Sequence, residues 1–209
     1  MALCSTWECT FTAESHVLFY FYLLPHHHQV SDDVQTYLNF VCSKQRSVGT
    51  DPSHLVLALS LLSLQVFRRL YECAFINQPS NSTMNITHYI VGFAHYFCTA
   101  TGFICEGPAF VADSPPVGRE EMSVWSVTWS GWLATLIFLA AWHQQLVTHK
   151  VFAMLKVKNS SSHSIPEGGL FELVSCPHYL CEILIYTALL LILGTEHQTA
   201  ILGQVTFLM

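Results

Sequence analysis

The sequence predicts an all-α bundle of membrane-spanning helices. Three observations predict it: 52% of residues are apolar, only 11% are charged, and the apolar residues gather in long blocks. Soluble domains carry about 25% charged residues, so eight Lys+Arg and fourteen Asp+Glu in 209 residues are too few for a solvated shell. The mean hydropathy is +0.41. The net charge of −6 offers no basic stripe to neutralise phosphates, which excludes a nucleic-acid partner.

A spanning helix needs about 20 mainly apolar residues. Four stretches meet that length: 55–76, 86–111, 124–142 and 170–194. A fifth, 17–24, is short. A sixth begins near Thr199 and is still apolar at Met209, so the chain reads as truncated, with about five to six spans. Three regions follow: 1–53, a partial span and polar loop; 54–142, a bundle holding an arginine pair; and 143–209, a C-terminal unit. The polar segments are 25–53, 77–85, 112–123 and 143–169, the last with the loop signal Asn159-Ser160-Ser161-Ser162.

Charge sets the expected orientation. Lys44, Arg46 and Arg119 lie on one side; Lys150, Lys156 and Lys158 lie on the other. Arg68-Arg69, feeding the segment 77–85, tips the balance and places 77–85 and 143–169 in the cytosol. The sequons at Asn81 and Asn85 then face away from glycosylation. The eight cysteines form no C-x-x-C, and the first ten residues lack the basic and apolar regions of a secretion signal.

Three constellations carry chemistry. Arg68-Arg69-Leu70-Tyr71-Glu72-Cys73 sets two cations in an apolar helix, where charge is costly and marks a site or an ion pair. Glu72 is four residues from Arg68 and three from Arg69, so one arginine is expected to be neutralised, leaving the other for a phosphate or carboxylate. Snorkelling to the interface is the bland alternative. His143-Gln144 and His149-Lys150 follow the apolar block 124–142, where imidazoles and amides hold a cofactor's polar groups or merely line an interface. No H-x-x-x-H or H-x-x-H-H set occurs, so no metal is expected. Pro166-Glu167-Gly168-Gly169 is a tight turn whose glycines allow close backbone approach. Beyond it His178 and Glu182 share a helix face, with Tyr179 beside them and Pro177 poised to break the helix start. A simple turn and an interhelical hydrogen bond would account for these residues equally.

At these residues the sequence resembles the steroid 5α-reductase family. Residues 165–171, Val174-Ser175 and Tyr179-Leu180-Cys181-Glu182-Ile183 are similar to its C-terminal turn and "N-[FY]-L-x-E" motif. Arg68–Cys73 looks like the "R-R-L-F-E-C" of the polyprenol reductase branch, and His143-Gln144 resembles that branch's "H-Q". The resemblance implies a seven-span bundle in the endoplasmic reticulum membrane. It binds NADPH from the cytosolic side and reduces a conjugated C=C bond of a polyprenoid lipid on the path to dolichol. By position, Gln144, His149, His178 and Glu182 line the cofactor pocket, with Tyr89, Lys156 and Tyr179 near them. Glu182 would hold the nicotinamide carboxamide, and Arg68 or Arg69 a phosphate. Phe19-Tyr20-Phe21-Tyr22 aligns with an early "S-H-F-Y", making Tyr20 or Tyr22 the candidate proton donor.

The chain departs from the pattern in places. His178 replaces the family's Asn, Leu155-Lys156 stands for its "L-R-K", and its "Y-P-x-x-R-K-A" tail has no counterpart before Met209. A steroid or enoyl-CoA reductase of the same fold and a non-catalytic membrane fragment are the alternatives. Hydride adds readily to a C=C bond only when a conjugated carbonyl accepts the resulting charge. The expected substrate is therefore a polyprenal-like enal or another enone, not the free allylic alcohol.

Overall fold

The computed structural model describes residues 32–41, 48–76, 123–158 and 166–194, with scattered positions between 86 and 111. The regular elements among them are all helical. Tyr20, Tyr22 and Tyr89 lie outside the described residues, as do most of the expected span 86–111 and the apolar stretches 17–24 and 199–209.

The polar segment 25–53 contains a helix, α1, Asp32–Val41. Asp32 and Asp33 occupy its first turn, where carboxylates suit the positive helix end. Leu38 is fully buried, and the Gln35 side chain donates to the Phe110 carbonyl at 3.1 Å.

The block expected at 55–76 is α2, Pro52–Tyr71, running into a π-helical turn over Glu72–Ile76. Pro52 opens it, where its missing N–H is no loss. Leu55, Ala58, Leu59, Leu62 and Val66 recur at helical spacing and are buried. The Glu72 N–H is shared between the Arg68 and Arg69 carbonyls, a three-centre bond common at helix ends.

The next helix, α3, spans Trp129–Lys158 without a break. The segment 143–169, expected to be polar connection, is therefore helical for its first half. The reason lies in the sequence: no Gly or Pro falls between Gly131 and Pro166, and Thr148, Val151 and Phe152 continue an inward face. Thr128 starts the helix, its Oγ1 accepting the Gly131 N–H at 3.2 Å.

The block 170–194 divides. A 3₁₀ turn covers Gly169–Glu172, and α4 begins only at Pro177 and ends at Leu193. Pro177 lacks an N–H to continue a preceding helix, so α4 starts there. Gly168, Gly169 and Gly194 have φ of 88°, 60° and 92°. Nothing lies within 4 Å of an ideal Cβ at any of them, so backbone conformation and not crowding requires glycine.

Two sets of contacts fix the direction of the helices. His54 at the start of α2 meets Thr128 at the start of α3, and Glu72 at the far end of α2 meets His149 well along α3. These two helices therefore run parallel. α4 runs against both, with His178 near Gln145 and the Leu193 carbonyl near Thr50. The core between them holds Leu55, Leu62, Phe138, Ala141, Ile185, Tyr186 and Leu189.

Among the described residues no helix is long and apolar enough to cross a membrane. α4 has 17 residues, about 25 Å at helical rise and short of a roughly 30 Å hydrocarbon layer. α2 is interrupted by Gln65, Arg68 and Arg69. The outward faces are nonetheless apolar: Trp132, Leu133, Leu136 and Leu139 on α3 and Leu184 and Leu191 on α4 are exposed.

Candidate cofactor and substrate site

The far end of α2 holds a carboxylate buried to 0% exposure, Glu72, and the neighbouring helices are organised around it. Arg68 Nη1 donates to Glu72 Oε1 at 2.8 Å, and Arg69 Nη1 donates to Oε2 at 3.0 Å. His149 Nδ1, from α3, meets the same Oε2 at 2.8 Å. Both arginines thus share one carboxylate, where the sequence spacing suggested that only one would. A carboxylate removed from water needs such partners on both oxygens.

Arg68 is buried and turned inward. Its Nη2 donates to Gln65 Oε1 at 3.0 Å and to Gln145 Oε1 at 2.6 Å. Gln145 extends the chain of contacts to α4, its Nε2 donating to the Glu182 carboxylate and to the His178 carbonyl. The amide orientation follows from chemistry. A guanidinium only donates and an ionised carboxylate only accepts, so Gln145 turns its oxygen to Arg68 and its nitrogen to Glu182. One polar belt, Glu72–Arg68–Gln145–Glu182, ties α2, α3 and α4 together.

Arg69 is the outer arginine, with its side chain 32% exposed. Beyond it lies an aromatic wall. The His178 ring lies tilted against Tyr179 at 4.1 Å between centroids and meets Phe152 edge-on at 5.3 Å. Phe152 in turn meets Phe171, next to the Gly168-Gly169 turn, at 5.3 Å. His178 Nδ1 is buried without a hydrogen-bond partner.

The structure brings together five residues singled out from the sequence: Arg68, Arg69, His149, His178 and Glu182. Tyr179 joins them through its ring but is half exposed. Lys156 lies two turns past His149 on α3. Gln144 points away and is exposed, and the glutamine in the belt is its neighbour Gln145, which is 3% exposed. Spacing held the missed signal, because Gln145 is four residues from His149 and shares its face, whereas Gln144 is rotated about 100° away. Gln65 was also missed. It is three residues before Arg68, in the apolar stretch where a lone amide draws little notice.

Residues 82–203 match the 3-oxo-5-alpha-steroid 4-dehydrogenase family. The chain belongs to that family. The matched region contains α3 and α4, and with them Gln145, His149, His178 and Glu182. Relatives of this steroid dehydrogenase family chain include a polyprenal reductase from Caenorhabditis elegans, 36% identical over 68% of the chain and 47% of that protein. A polyprenal reductase from Xenopus laevis is 31% identical over 79% of the chain and 53% of its own length. One from Danio rerio is 33% identical over 66% and 45%. The chain spans about half the length of the curated relatives it matches.

Proposed function

We propose that this chain carries the cofactor-binding core of an NADPH-dependent reductase. It saturates the α-isoprene C=C bond of a polyprenal, a step of dolichol synthesis in the endoplasmic reticulum membrane. The observation that carries this reading is the convergence, at one end of three helices, of Glu182, His178, His149 and Arg69. That convergence occurs in a family member whose curated relatives are named polyprenal reductases.

The residues present fit a nicotinamide dinucleotide. Glu182 is a half-buried acceptor for a carboxamide N–H, held from behind by Gln145. His178 Nδ1 is a buried group with no partner. Arg69 is the outer cation suited to phosphate, whereas Arg68 is committed to Glu72, Gln65 and Gln145 and acts behind it. The Gly168-Gly169 turn is open on its Cβ side, leaving room for close approach. The reduced nicotinamide supplies a hydride, that is, both electrons of the reduction.

The chain's own part is orientation and electrostatics. The β-carbon of the enal takes the hydride, the carbonyl oxygen takes the charge that develops, and the α-carbon takes a proton. A donor aimed at that oxygen lowers the barrier because it is in place before the charge forms. Tyr20 and Tyr22 are the sequence's candidates for that donor. An allylic alcohol has no oxygen able to accept the charge, which is why the aldehyde is the proposed substrate.

The membrane reading rests on the outward apolar faces of α3 and α4, since a helix apolar all round belongs in a protein core or in lipid. The charged belt then lies at the end that Arg68-Arg69 and Lys150 assign to the cytosol.

NADPH binding by the full chain in detergent, beside Glu182→Gln, tests the proposal. Saturable binding weakened by roughly 1–3 kcal/mol in the variant, the scale of a disrupted buried polar pairing, supports it. Absence of binding by the parent chain rejects it. In a turnover assay of a complete relative, reduction of polyprenol with no oxidising partner would remove the aldehyde as the reacting species.

A further inference from the structure

Gln65 is fully buried, at 0% exposure, in the apolar interior of α2. Its Oε1 accepts from Arg68 Nη2 at 3.0 Å. Its Nε2, with two N–H groups, is buried and has no hydrogen-bond partner. A buried donor left without an acceptor costs about 1–3 kcal/mol, so its retention needs an account.

The placement supplies one. Gln65 lies one turn deeper than Arg68, about 4.5 Å along the axis, on the inner side of the belt that ends at Glu182. Arg68 Nη2 touches both Gln65 and Gln145, and Gln145 touches Glu182, so only two side chains separate the unused amide from that carboxylate. A guanidinium on Oε1 draws electron density from the amide and makes its N–H groups stronger donors. Bulk water does not reach Nε2, and an acceptor carried into the bundle on an apolar ligand would satisfy it. An isoprenoid enal is such a ligand: an apolar body with one carbonyl oxygen at its reacting end.

We propose that Gln65 Nε2 is the hydrogen-bond donor to the carbonyl oxygen of the α,β-unsaturated substrate, strengthened for that task by Arg68. This rests on the enal reductase reading and assigns the substrate's oxygen end within it. Gln65 would then bind the substrate oxygen as charge develops there, as a catalytic residue on α2, in the role for which the sequence offered Tyr20 or Tyr22.

The test is infrared spectroscopy of farnesal, a short isoprenoid enal, bound to the full chain in detergent. Farnesene, which lacks the oxygen, serves as the control. The bound carbonyl stretch is expected below its position in detergent alone. In Gln65→Met, of similar volume, the stretch should return upward and farnesal should bind about tenfold more weakly, the scale of a lost buried hydrogen bond, while farnesene binds equally. An unshifted stretch in the parent, or an equal shift in Gln65→Met, overturns the assignment.

A second readout needs no variant. In the ¹⁵N-glutamine-labelled parent, one side-chain amide should move with farnesal and not with farnesene. No movement means that Gln65 holds a trapped water only, which also overturns the proposal. NADPH binding that persists alongside either negative result removes Gln65 and leaves the reductase reading intact. Loss of NADPH binding by the parent removes both.

Discussion

α2 and α3 meet through polar side chains at both ends, and the two meetings are built differently. At the starting end the groups are hydroxyls and one imidazole. The Thr128 N–H donates to His54 Nε2 at 3.3 Å, making that nitrogen an acceptor. The Thr128 hydroxyl therefore gives its proton to the same nitrogen, at 3.1 Å. It accepts in turn from the Gly131 N–H and from Ser130 Oγ. Ser53 and Ser126 pair beside it. Each of these groups is used by the cap it forms.

At the far end one carboxylate serves two arginines and a histidine, and the belt runs on to Glu182 on α4. Polar atoms are left over there: Gln65 Nε2, a donor, and His178 Nδ1 are buried without hydrogen-bond partners. The difference is instructive. A seam that only joins helices closes its hydrogen bonds locally, whereas a seam with unused polar atoms and a carboxylate on its outer side is suited to a ligand.

The sharpest way to break the contrast is Glu72→Leu. Arg68 would keep its burial and lose its counter-charge, a loss of about 3–5 kcal/mol on the scale of breaking a buried ion pair. Thermal unfolding followed by helical circular dichroism in detergent should show little or no folded chain at physiological temperature. A variant that melts like the parent would show that the belt is decoration.

Thr128→Ala tests the other end. It removes one helix cap and one His54 partner, for about 1 kcal/mol. The melting point should fall modestly while NADPH affinity stays at the parent value. A change in affinity would mean that the two ends are coupled and the comparison too simple.

Gly168→Ala is expected to have the smallest effect on the bundle. The φ of 88° with ψ of 158° is unfavourable for alanine, a local strain of about 1–3 kcal/mol, but the turn lies outside the three-helix core and can relax by itself. Limited proteolysis near residues 166–169 should speed up while the melting point barely moves.

Much of the fold could be read locally. Apolar blocks and the scarcity of charge indicated helices at α2, α3 and α4, and Pro52, Thr128 and Pro177 mark their starts. The join inside the block 170–194 was harder to read. Leu170, Phe171, Leu173 and Val174 are apolar enough to continue a helix, and only the geometry of Pro177 and the Gly168-Gly169 turn separates them. The reach of α3 past residue 142 was missed for the opposite reason. Histidine, glutamine and lysine there resemble a loop by composition, but without Gly or Pro the backbone has no reason to stop.

The sequence by itself determined what lies within one helical turn. Glu72 is spaced to meet one arginine of the pair, His178 and Glu182 share a face, and the glycines permit a turn. Such pairings follow from the fixed rise and rotation of the helix. Only the tertiary structure decided which arginine is inward, that His149 is the third partner of Glu72 from 77 positions away, and that Gln145 rather than Gln144 holds Glu182. Those choices depend on how three helices rotate and slide against one another. Packing around Phe138, Ile185 and Leu189 sets that rotation, and no local period encodes it.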